Sequence, residues 1–69
     1  MSIDAANVAL APSLYEPEVL EAAITILERE RDLYYKEARY FGMHHNSGRR
    51  ASQNARRVAK LARACRKAL

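Results

Sequence analysis

The sequence predicts an all-α protein: a two-helix antiparallel hairpin with an N-terminal arm, dimerising into a helical bundle. Three observations carry this. Apolar residues recur at helical spacing between Pro17 and Phe41. They recur again, mostly as alanine, across residues 49–68. Only two glycines and two prolines punctuate 69 residues, too few turns for an all-β sandwich or barrel.

The first helix should run over about 17–41. Pro17 suits the first helical position, where a missing N–H costs nothing and φ is already helical. Glu16 before it is pushed toward an extended conformation. Glu18 and Glu21 place negative charge near the positive end of the helix dipole. Leu20, Ile24, Leu27, Arg31, Tyr34, Ala38 and Phe41 then step by heptad spacing. Gly42 is the natural residue for leaving the helix at positive φ.

Residues 42–48 (GMHHNSG) read as a short connection between antiparallel helices. A second helix follows over about 49–68, with Ser47 and Ser52 as candidate N-caps. On it Ala51, Ala55, Val58, Ala62, Cys65 and Leu69 share one side, and Arg49, Arg56, Lys60, Arg63 and Lys67 line the other. Residues 1–16 contain Ile3, Val8, Leu10, Leu14 and Tyr15 without a strong period and are interrupted by Pro12. They form the arm; residues 17–69 form the hairpin.

The first helix carries more apolar surface than an alanine-lined partner can cover. Val19, Ala23, Ile26 and Leu33 lie beside the main heptad line. A second copy of the chain is the economical cover, with Val19, Ala23, Ile26, Leu27, Glu30 and Leu33 as its interface; a monomer closed by its own arm is the competitor. The run Glu28-Arg29-Glu30-Arg31-Asp32 interrupts the pattern. It reads either as a solvated waist with local pairs Arg29–Asp32 and Asp32–Lys36, or as a polar layer that sets dimer register.

Charge is divided along the chain. Residues 1–37 hold all eight acids and three bases, net −5; residues 38–69 hold nine bases and no acid, net +9. A cationic half seeks an acidic protein surface, nucleic acid, anionic lipid or its own acidic half. The second helix has no tryptophan or phenylalanine for membrane insertion, and no 18-residue apolar run spans a bilayer. No helix-turn-helix pattern is recognisable, although Gln53 and Asn54 could reach base edges. Catalysis is not expected. There is no glycine-rich phosphate loop, no clustered carboxylates, and no pocket in which Cys65 could meet a histidine. The adjacent His44 and His45 lack metal-ligand spacing, and no cofactor or metal is called for. One cysteine and no leader pattern indicate an intracellular chain. Tyr35, Arg39 and Tyr40, crowding the end of the first helix, have the residue types of interface anchors. With Arg49, Arg56, Lys60, Arg63 and Lys67 they are the candidate partner-binding set.

The 69-residue length, the helical segments Pro17–Phe41 and Ser52–Ala68, and the basic run from Arg49-Arg50 to Arg66-Lys67 are similar to those of phage-encoded quorum-sensing anti-activators of Pseudomonas phages. The resemblance implies a small helical inhibitor in the bacterial cytoplasm. Its targets would be a LuxR-type transcription activator and the type IV pilus assembly ATPase. Such an inhibitor needs shape and charge complementarity rather than chemistry. The alternative is a small basic DNA-binding transcriptional regulator.

Overall fold

The computed structural model describes residues 3–69. It contains three α-helices, α1 (Ala5–Leu10), α2 (Pro17–Phe41) and α3 (Asn46–Lys67), with a 3-10 turn at Pro12–Leu14. There is no strand among the described residues. The helical hairpin expected from the sequence is present: α2 and α3 pack against each other over most of their length.

The arm is ordered as a third helical element. Asp4 caps α1: its carboxylate accepts from the Asn7 backbone N–H at 3.3 Å and from Asn7 Nδ2 at 2.9 Å, satisfying a donor the helix leaves open. Ala5, Val8 and Ala9 then share one buried side, the i, i+3, i+4 geometry of a single helical face. The Ala11 N–H donates to the Val8 carbonyl, and Pro12 stops the helix from continuing.

α2 starts as expected. Glu16 is extended (φ −73°, ψ 156°) and Pro17 opens the helix. Leu20, Ala23, Ile24 and Leu27 are buried, and with Val8 of α1 and Val58, Ala62 and Cys65 of α3 they form one core. Val19, Ile26, Tyr34 and Leu61 pack partly against it. Phe41, the last residue of the heptad line, is 44% exposed. It stacks instead on His45 with ring centroids 5.5 Å apart.

The reversal between α2 and α3 depends on both glycines. Gly42 ends α2 at φ 80°, ψ 158°, a region beyond αL that is essentially reserved for glycine. Its N–H still donates to the Ala38 carbonyl at 2.9 Å. Gly48 lies in the first turn of α3, and a Cβ there would sit on the Gly42 carbonyl oxygen. The chain therefore doubles back over itself with no room for a side chain.

α3 begins at Asn46, earlier than the predicted 49, and its N-cap is neither Ser47 nor Ser52. His45 takes that role, with Nδ1 accepting from the Ser47 backbone N–H at 3.1 Å. The imidazole is a hydrogen-bond acceptor like the shorter cap side chains, and its ring is already held against Phe41. The inner side of α3 is Gly48, Ala51, Ala55, Val58, Ala62 and Cys65, small residues that let two helices approach closely. Leu69, assigned to that side, lies beyond the helix and is 56% exposed.

Candidate interaction surfaces

The candidate residues occupy two surfaces. Arg49, Arg56, Lys60, Arg63 and Lys67 are all exposed, on the side of α3 turned away from its buried alanines. Four of them follow 4, 3, 4 spacing, so they form a line along the helix. None has an ion-pair partner among the described residues. The pairs present there are Arg31–Glu28, Arg31–Asp32 and Arg66–Glu28. The acidic half of the chain therefore neutralises one cation of α3, Arg66, and leaves the outer stripe free. Gln53 is exposed near this stripe. Asn54 points elsewhere: it is half-buried in a cleft whose walls include Asp4, Glu30 and Arg57.

The second surface lies on α2. Tyr35 and Arg39 share a shallow groove with Arg29, Leu33 and Lys36, and Tyr40 flanks its continuation beside Leu33 and Glu37. Leu33 is 63% exposed and Tyr40 84%. The Tyr40 ring meets Phe41 edge-on at 5.1 Å, which fixes the end of the hairpin as an aromatic cluster beside Arg39.

The waist pairs differently from the sequence-based expectation. Asp32 is taken by Arg31, with Nε to Oδ1 at 3.0 Å, so the expected Arg29–Asp32 and Asp32–Lys36 pairs do not form among the described ion pairs. The cause is local: Arg31 also leans on Glu28, which in turn accepts from Arg66 of α3 at 2.8 Å. The polar run thus links α2 to α3 within one chain. It leaves Arg29 and Lys36, around Leu33, without an ion-pair partner among the described residues.

The residues expected at an interface with a second copy are divided as well. Ala23 and Leu27 are closed inside their own chain, at 0% and 2% exposure, and have no surface to lend; α1, which the sequence left as an arm, helps to fill that space. Val19 and Ile26 are half-buried for the same reason. Glu30 and Leu33 remain exposed.

His44 is exposed, and His45 is committed to the α3 cap. Cys65 is fully buried, and burial pushes its thiol pKa above the ordinary value. No helix among the described residues is long and apolar enough to cross a membrane. No protein-family description, curated protein or solved structure matches the chain.

Proposed function

We propose that this chain is a small non-enzymatic inhibitor that works by covering an acidic surface of a partner protein with the outer face of α3. The observation that carries the reading is the line Arg49, Arg56, Lys60, Arg63 and Lys67, exposed and without an ion-pair partner among the described residues although the same chain holds eight acids. A fold that leaves such a stripe in water gains solubility from it. It also gains a long-range field that steers an anionic surface into contact. The resemblance to phage anti-activators points the same way and names the class of partner: a bacterial transcription activator of the LuxR type, with the pilus assembly ATPase as a second target, in the cytoplasm.

The same stripe favours a second reading, a DNA-binding regulator. A cationic line neutralises phosphates as readily as carboxylates. Base readout is where this reading is weaker, since Asn54 is turned into a cleft and only Gln53 accompanies the stripe. One titration separates the two. Duplex DNA and a purified LuxR-type activator are each titrated with the protein between 50 and 200 mM salt. The inhibitor reading expects a complex with the activator that persists at the higher salt and is weakened by Arg56→Glu/Lys60→Glu. A DNA complex whose affinity falls steeply with salt, without any activator complex, overturns it.

A further inference from the structure

We infer that the uncovered half of α2 is the docking site for a second copy of this chain, packed antiparallel about a two-fold axis level with Leu27 and Glu28. The inference is independent of the partner proposed above.

On one side of α2, Val19 and Ile26 pack partly against the core to which α1 contributes Ala5, Val8 and Ala9. Another side of α2 stays open along its whole length. At about 100° per residue, Glu18, Ala22, Arg29, Leu33, Lys36 and Tyr40 fall within ~60° of one another. Apart from half-buried Ala22 these residues are exposed. The line is acidic at its start and basic further on. From residue 1 to residue 28 the chain has acids and no base, whereas Arg29, Lys36 and Arg39 are cations without an ion-pair partner among the described residues.

An antiparallel two-fold pair sets each residue before the axis against the residue equally far beyond it, on the same edge of the helix. Around the point between Leu27 and Glu28, Ala22 comes level with Leu33 of the second copy. The smallest side chain on the line thus meets its most exposed leucine. Glu18 comes within about one residue rise, ~1.5 Å, of the level of Lys36. Leu14 and Tyr15, 79% and 39% exposed, precede α2 and come to the end of the second copy that carries Tyr40. Both apolar ends are used, and every contact occurs twice. A parallel pair would leave Leu14 and Tyr15 without apolar counterparts and bring the acidic ends together. The pairing also leaves the α3 stripe free, because α3 lies on the far side of α2. Tyr40 then belongs to the dimer rather than to a host partner. The register has one unfavourable contact: the two Arg29 side chains approach each other near the axis.

Sedimentation equilibrium tests this at fixed salt, with circular dichroism confirming that each variant keeps its helices. The wild-type chain is expected at twice 7.8 kDa in the micromolar range. Glu18→Lys and Lys36→Glu, studied separately, should each weaken association about tenfold, as two exposed ion pairs of under 1 kcal/mol each would allow. An equimolar mixture of the two variants should recover wild-type affinity, since each copy then offers the charge its partner lacks. Arg29→Gln should tighten the dimer. A wild-type chain that stays at 7.8 kDa up to millimolar concentration overturns the proposal. So does a mixture that behaves as the average of its two variants, or a dimer that Leu33→Arg breaks while both charge variants leave it untouched.

Discussion

Replacing Gly48 by alanine sets a local preference against a packing constraint, with opposite predicted signs. Gly48 is the third residue of α3, and in a helix alanine is favoured over glycine by about 1 kcal/mol. Propensity alone predicts a more stable protein. The structure predicts the reverse, because the added Cβ would occupy the position of the Gly42 carbonyl oxygen. That obstacle is backbone, held in place by the reversal itself: the same carbonyl accepts from the His45 N–H at 3.2 Å. It cannot rotate away as a side chain would. Overpacking of this kind costs ~1–3 kcal/mol, sometimes more, so the net expectation is a loss of about 1–2 kcal/mol. For a chain of this size that corresponds to a fall in Tm of roughly 5–15 °C. The measurement is thermal and urea unfolding followed by far-UV circular dichroism at one fixed protein concentration, since any self-association would shift Tm. Gly42→Ala is the companion variant. Nothing lies within 4 Å of its added Cβ, but φ is +80°, so its cost of about 1–3 kcal/mol is conformational alone. A Gly48→Ala protein as stable as the wild type, or more so, would show that the two segments do not approach as described.

Three further outcomes follow from the core. Val8→Ala removes two buried carbons from the only large side chain that α1 inserts, so a loss of about 1.5–2.5 kcal/mol is expected; hydrogen exchange should show residues 5–10 losing protection before α2 and α3 do. Ala55→Leu adds apolar carbon at a position with 0% exposure and should destabilise by ~1–3 kcal/mol in urea unfolding, against the gain that burial area alone would suggest. Cys65 carries a pH dependence. Its thiol pKa is raised by burial, so below the ordinary thiol value both folded and unfolded states are protonated and stability is complete. As pH rises past that value the unfolded chain ionises first, and stability declines toward the folded pKa. Urea unfolding of wild type and Cys65→Ala at pH 8 and pH 10 should show the larger loss in the wild type.

The parts legible in the sequence are those with long periods. Twenty-five residues of α2 repeat their apolar pattern often enough to fix its limits, and Pro17 and Gly42 mark both ends by backbone chemistry rather than by statistics. The buried side of α3 was legible for the same reason. α1 was not, because six residues complete fewer than two turns and bury only alanines and one valine. Its helicity rests on contact with α2, which no local pattern announces. The His45 cap was hidden because the aromatic stack that holds the imidazole in place involves Phe41, which the heptad pattern groups with Leu20, Ile24 and Leu27. The ion pairs of the waist depart from the expected ones for a related reason. Spacing alone offered Asp32 two partners one turn away, Arg29 and Lys36. Its sequence neighbour Arg31 won, because the same guanidinium also reaches Glu28.

The charge division of the chain and the small residues of α3 are two aspects of one arrangement. Close approach of α3 to α2 requires Gly48, Ala51, Ala55 and Ala62 on the inner side, and alanine contributes little burial area. α2 has to supply the bulk of the core with Leu20, Ile24 and Leu27, and α1 adds Val8. The long side chains of α3 then have nowhere to go but outward. Because they are nearly all arginine and lysine, the fold converts a compositional bias into an ordered cationic line. Had the acids of α2 faced α3 in register, that line would have been neutralised internally. Instead, among the described residues, only Glu28 reaches across to Arg66, while Glu18 and Glu21 remain exposed toward the start of α2. Glu28–Arg66 is the described ion pair that ties α2 to α3, and exposed pairs of this kind add little to stability. The consequence of the segregation, in the two proposals made above, is an anionic partner along α3 and, through the opposite ends of α2, another copy of the same chain.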